Sequence, residues 1–211
     1  MNLDAESYPE LTPPKRLLLG PGPSQVHPRV LRAMATPLVG HLDPYFLELM
    51  DRTQSLLRWA FQTENEVTIP ISGTGSAAME ASLANIIEPG DSVLVCSNGY
   101  FGSRLANMAG RYGGNVEVIE QAWGKIFTPE EVETALEERP AKIVAIVHAE
   151  TSTGALQPIE GIARVVQKYD ALLVVDAVTS LGGVPLKVDE WGIDVCYSGS
   201  QKCLSCPPGL G

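Results

Sequence analysis

Short apolar runs alternate with longer segments whose apolar residues recur every three or four positions, from about residue 67 to residue 197. Strands are expected at 67–71, 92–96, 115–119, 143–148, 172–176 and 194–197, and helices between them at 76–87, 102–111, 128–138 and 159–168. A strand that is apolar throughout needs cover on both faces, and helical crossovers join parallel neighbours. The expected fold class is therefore α/β, a mainly parallel sheet with helices on both faces. Ligands of such sheets sit outside the carboxyl ends of the strands. The residues that follow each run are thus where chemistry is to be sought.

Residues 1–15 are polar and proline-rich and read as a loose arm. Leu17-Leu18-Leu19 then runs into a rigid turn, Gly20-Pro21-Gly22-Pro23-Ser24. A short helix is expected at 28–35, with Pro28 in its first turn. A longer one starts at Asp43-Pro44, with apolar residues from Phe46 to Phe61 at helical spacing. Thr128, Pro129 and Glu131 spell a helix start with a capping box. The division expected is an arm and substrate-side turn over 1–24 and one large domain over 25–211. The chain stops at a turn, Cys206-Pro207-Pro208-Gly209-Leu210-Gly211, which suggests a fragment of a longer protein.

The net charge of −10 comes without a basic block, which disfavours a nucleic-acid role. No window has the length and apolarity of a membrane span or the make-up of a signal peptide, so a soluble, cytoplasmic protein is expected. Cys96 and Cys196 lie in apolar runs, Cys203 and Cys206 form a single CxxC, and His27, His41 and His148 are scattered. No metal site is expected from that set.

Five strand ends carry candidate chemistry. Ser72-Gly73-Thr74-Gly75-Ser76 joins a strand to a helix, and a helix N-terminus with free N–H groups and hydroxyls favours a phosphate. Gly73, Gly75 and Ala78 also match a dinucleotide pattern, but the next strand ends in Ser97-Asn98-Gly99 and offers no acid for a ribose. Tyr100 and Phe101 follow that strand, and one ring could stack on a flat heterocycle; the alternative is ordinary core packing. His148-Ala149-Glu150-Thr151-Ser152 brings hydroxyls and an acid, the alternative being a capped turn beside a core histidine. Asp176 follows four apolar residues, where an unpaired carboxylate is expensive. It either caps the segment from Val178 or meets a cation such as a protonated ring nitrogen. Lys202 closes Ser198-Gly199-Ser200-Gln201-Lys202, a setting of small hydroxyl residues that differs from the usual surface lysine. Together, an acid and a lysine ending neighbouring strands suit pyridoxal phosphate, which needs a partner for its ring nitrogen and an amine for its aldehyde.

These runs resemble the class V, fold type I aminotransferases, and within them the alanine–glyoxylate and serine–pyruvate (serine–glyoxylate) group. The resemblance rests on Leu19-Gly20-Pro21-Gly22-Pro23-Ser24, Ser72-Gly73-Thr74-Gly75, Asn98-Gly99-Tyr100-Phe101-Gly102, Glu150-Thr151-Ser152-Thr153-Gly154, Asp176-Ala177-Val178-Thr179-Ser180 and Ser198-Gly199-Ser200-Gln201-Lys202. It implies pyridoxal 5'-phosphate as cofactor, Lys202 as the Schiff-base lysine and Asp176 as the partner of the pyridine nitrogen. Gly73, Thr74, Gly75 and Ser76 would form part of the phosphate cup, with Gln201 beside it. Phe101 would stack on the ring, where relatives often carry tryptophan. Thr151 would bond the phenolic oxygen, where serine is common. Gly20, Gly22 and His41 would lie near the substrate. It further implies transamination between alanine or serine and glyoxylate or pyruvate, in a homodimer. A smaller C-terminal domain with a carboxylate-clamping arginine would lie outside these residues. The alternatives on the same scaffold are a cysteine desulfurase-like lyase, which usually places a histidine where Phe101 stands, and a truncated, non-catalytic fragment.

Overall fold

The structure is a computed structural model, and it describes residues 10–211. The arm expected over 1–15 lies mostly outside them. In chain order the elements are α1 (Pro28–Met34), α2 (Pro44–Phe61), β1 (Ser72–Gly73), α3 (Gly75–Ile86), β2 (Ser92–Ser97), α4 (Tyr100–Arg111), β3 (Asn115–Glu120) and α5 (Pro129–Glu138). They continue with β4 (Ile143–Val147), β5 (Ala149–Glu150), β6 (Ala155–Leu156), α6 (Glu160–Lys168), β7 (Leu172–Asp176), α7 (Val188–Trp191), β8 (Val195–Tyr197) and β9 (Gly209–Leu210).

Five strands form one parallel sheet in the order β3-β2-β4-β7-β8. Alternation along the central strands sends side chains to two cores. Leu94, Cys96, Val144, Ile146, Leu173 and Val175 meet Val132, Leu136, Ile162 and Val166 of α5 and α6. Val93, Val95, Ile143, Ala145 and Val174 meet Met79, Leu83, Leu105 and Ala109 of α3 and α4. Each large apolar side chain buried this way contributes roughly 1.5–3 kcal/mol. This two-sided burial is why the strands read as continuous apolar runs, and it bears out the expected α/β class.

The strand order reverses between β2 and β4. β2 is followed by a neighbour on one side (β3) and later by one on the other (β4). Such a switch point opens a crevice outside the carboxyl ends of the two strands. Asn98 and Gly99 follow β2 there, and His148 to Ser152 follow β4.

The expected strand at 67–71 is absent. Pro70 has no N–H to give a ladder, Val67 and Ile69 are exposed, and pairing starts only beyond the proline. Ile71 exchanges hydrogen bonds with Gly211, at 2.7 and 2.9 Å, and β1 pairs antiparallel with β9. The capping box of α5 is formed as expected: Thr128 Oγ1 accepts from Glu131 N, and Glu131 Oε2 accepts from Thr128 N.

Candidate active site

Glu150 organises the crevice. Its Oε2 accepts from the N–H groups of Phe101 and Gly102, at 3.0 and 3.2 Å, and its Oε1 from Ser152 N and Oγ, at 3.0 and 2.7 Å. A buried carboxylate thus satisfies the free donors at the start of α4, where no capping side chain is present. The helix accordingly begins at Tyr100, two residues before the expected start. Phe101 lies in that first turn, half-buried and edge-on to Tyr100 with ring centroids 5.3 Å apart. The sequence shows the acid and the hydroxyls here, but not that they cap a neighbouring helix.

His148 is a core histidine. Its Nδ1 lies 3.0 Å from Ser180 Oγ and its ring stands edge-on to Trp191. Burial pushes its pKa down to about 4. Thr151 Oγ1 meets Thr179 Oγ1 at 2.5 Å, joining the edge after β4 to the edge after β7.

Asp176 ends β7 and is buried. Its Oδ1 accepts from Val178 N and its Oδ2 from Tyr197 Oη, both at 2.9 Å. Burial raises its pKa to about 6, a rise held back by those two donors. No cation pairs with it among the described residues.

Lys202 is reached from the other end of the chain. Ser24 N donates to Gln201 O at 2.8 Å, and Ser24 Oγ to Lys202 O at 2.7 Å. Lys202 Nζ donates to Pro21 O at 2.6 Å. Gly22 makes this approach possible: its φ is +138°, and a Cβ there would stand 2.6 Å from Nζ. A cavity of about 480 Å³ is lined by Gly20, Pro21, Gly22, Thr179, Lys202 and Cys203, among others. Gly20, Gly22 and Lys202 are therefore brought together. His41 is exposed in the turn before α2 and does not line that cavity.

At the start of α3, Thr74 O takes the N–H groups of Ala77 and Ala78. Those of Gly75 and Ser76 have no carbonyl behind them within the helix. The Gln201 amide lies against this turn, since a Cβ on Gly199 would stand 2.9 Å from Gln201 Oε1 and 3.3 Å from Gly75 N. Gln201 Oε1 is buried without a hydrogen-bond partner.

Comparison with known proteins bears on this arrangement. The chain matches the family described as aminotransferase class-V over residues 16–211. It belongs to the class V aminotransferases. It is 48% identical over 201 residues to an (S)-ureidoglycine–glyoxylate transaminase of Bacillus subtilis, covering 95% of this chain and 48% of that protein. An alanine–glyoxylate aminotransferase of Rattus norvegicus is 46% identical over 200 residues, with the same coverage. The solved alanine–glyoxylate aminotransferase from Nostoc sp. superposes with a TM-score of 0.93 at 56% identity, over all of this chain and 56% of that one. The chain spans about half the length of the curated relatives it matches.

Membership of the class V aminotransferases implies pyridoxal 5'-phosphate, and the residues present fit it. A buried carboxylate without a cation suits a protonated ring nitrogen. Free N–H groups at the start of α3 suit a phosphate. A lysine amine held only by a carbonyl suits an aldehyde. Among the described residues no cluster of three His, Cys, Asp or Glu side chains is placed to hold a metal, and no helix is long and apolar enough to cross a membrane.

Proposed function

We propose that this chain carries the cofactor-binding half of an aminotransferase that moves an amino group from alanine or serine to glyoxylate or pyruvate. One observation carries the reading. Lys202, held by a carbonyl, shares a cavity with Thr179, which follows the buried, cation-free Asp176 by three residues. When bound, pyridoxal phosphate supplies an aldehyde for amine exchange and a ring that withdraws electrons from the substrate α-carbon. Lys202 would hold the cofactor, and its Nζ, once free, would serve as the base for the proton on the substrate α-carbon. Asp176 keeps a negative charge against the ring nitrogen. Gly73, Thr74, Gly75, Ser76 and Gln201 would hold the phosphate. Phe101 would flank the ring, Thr151 would bond its phenolic oxygen, and Gly20, Gly22 and His41 would bound the substrate. The working unit in this reading is a homodimer.

Borohydride reduction of the loaded full-length protein, followed by peptide mapping, is expected to label Lys202. A label elsewhere, or one that survives Lys202→Ala, refutes the assignment. Asp176→Asn is expected to lower turnover far more than cofactor content, and unchanged turnover removes Asp176 from the mechanism. The ureidoglycine relative supports a second reading of the amino donor. Absorbance spectra recorded after adding alanine, serine and ureidoglycine in turn decide between the donors.

A further inference from the structure

We infer that Tyr197 is a positioning residue for Asp176, holding the carboxylate anionic and in one plane through the 2.9 Å hydrogen bond to Oδ2. The inference rests on the proposed role of Asp176 as the partner of a ring nitrogen. Its geometric basis is the sheet itself. Asp176 of β7 and Tyr197 of β8 are register partners in a parallel ladder, so their side chains share a face. Ala177 N donates to Tyr197 O at 2.9 Å and locks that register. On the other oxygen, Val178 N donates to Oδ1. Donors of opposite origin, one backbone and one side chain, leave the carboxylate no freedom to rotate.

The surrounding groups show why such a clamp is needed. Glu150, from the edge after β4, raises the proton affinity of Asp176, and Arg104 of α4 lowers it. Cys196 adjoins Tyr197 and is half-buried, its thiol pushed up and so neutral. His148 gives its backbone N–H to Asp176 O but turns its ring to Ser180 and Trp191. Burial is the largest influence and favours the neutral acid. The Tyr197 phenol is itself held protonated by burial and by the adjacent carboxylate, so it donates to Oδ2. Removing it leaves burial and Glu150 opposed by one fewer donor.

Tyr197→Phe keeps the ring in the core and deletes the donor alone. The test compares the cofactor-free full-length protein, Tyr197→Phe, Asp176→Asn and the double variant by denaturant unfolding between pH 4 and 8.5. In the parent, the contribution of Asp176, read as the difference from Asp176→Asn, falls with rising pH until the carboxylate is fully charged. In Tyr197→Phe that fall is expected to extend about one pH unit higher, the size of one hydrogen bond to a charged acceptor. In the Asp176→Asn background the same change is expected to have no pH dependence. Affinity for pyridoxal phosphate should then drop about fivefold at pH 6 relative to the parent and converge with it by pH 8.5. A stability difference of constant size at every pH would show that the hydroxyl serves only packing and would overturn the inference. Should Tyr197→Phe fail to fold, 3-fluorotyrosine at position 197, a stronger donor of nearly the same shape, is expected to shift the same limb downward; no shift overturns the inference. If the parent takes up no pyridoxal phosphate on Lys202, the functional reading fails by itself, and the cofactor-free profiles still decide the pair.

Discussion

Two buried titratable residues near the sheet ends pull in opposite directions as pH changes. Asp176 has a folded pKa of about 6, above its ordinary value of 3.8. Between those values the native state keeps a proton that the unfolded chain has released, so stability falls as pH rises through that window. His148 has a folded pKa of about 4, below its ordinary 6.5. There the unfolded chain binds a proton that the native state refuses, so stability falls as pH drops from 6.5 to 4. The two contributions largely cancel between pH 4 and 6. Asp176→Asn is therefore expected to stabilise the cofactor-free protein by about 3 kcal/mol above pH 6 and to change little below pH 4, as read by denaturant titration. A variant less stable than the parent at pH 8 would contradict this. Gly22→Ala tests the other half of the site: its Cβ would collide with Lys202 Nζ, and about 1–3 kcal/mol of backbone strain is expected from the positive φ. Labelling of Lys202 by cofactor and borohydride should fall with it. The buried, hydrogen-bonded carboxylate of Asp176 was legible, because an acid after four apolar residues is costly without a partner. Tyr197 was not, since a tyrosine at the end of an apolar run reads as core until its hydroxyl partner, 21 residues away, is placed.

At the scale of elements, burial on both faces made the central strands readable, and local signals made α5 readable. What sequence reading missed depends on distant partners. β5 and β6 have two residues each and pair only with each other, too short for any periodic signal. The run from Val67 to Ile71 alternates like a strand, yet Pro70 removes a donor and the ladder forms only with residues 209–211. α4 begins where it does because Glu150, about 50 residues on, accepts its first N–H groups. Glu150→Gln tests this. One amide NH₂ would then face two donors, which costs roughly 1–3 kcal/mol. Hydrogen exchange should quicken in the first turn of α4 and leave the α5 turn, with its own capping box, unchanged. Equal protection at both helices in the variant would show that Glu150 is not what holds α4.

At the scale of the whole molecule, the N-terminal third and the sheet differ in kind. α1 and α2 contain no buried residue, although α2 runs for 18 residues. Leu47, Leu49, Leu56 and Trp59 of α2 stay exposed, Trp59 by 80%. Helices owe most of their stability to packing of an apolar face, so a helix of this make-up needs a cover. Leu49, Leu56 and Trp59 fall within one arc of α2, with Leu47 on the opposite side, and an exposed apolar arc of this kind marks an interaction site. In the proposed homodimer that face would lie against a second copy. Leu56→Glu with Trp59→Glu in the full-length protein is expected to turn a dimer into a monomer by sedimentation velocity and to lower turnover, while the sheet's circular dichroism persists. A dimer that survives both charges would mean that the cover of α2 comes from within the same chain.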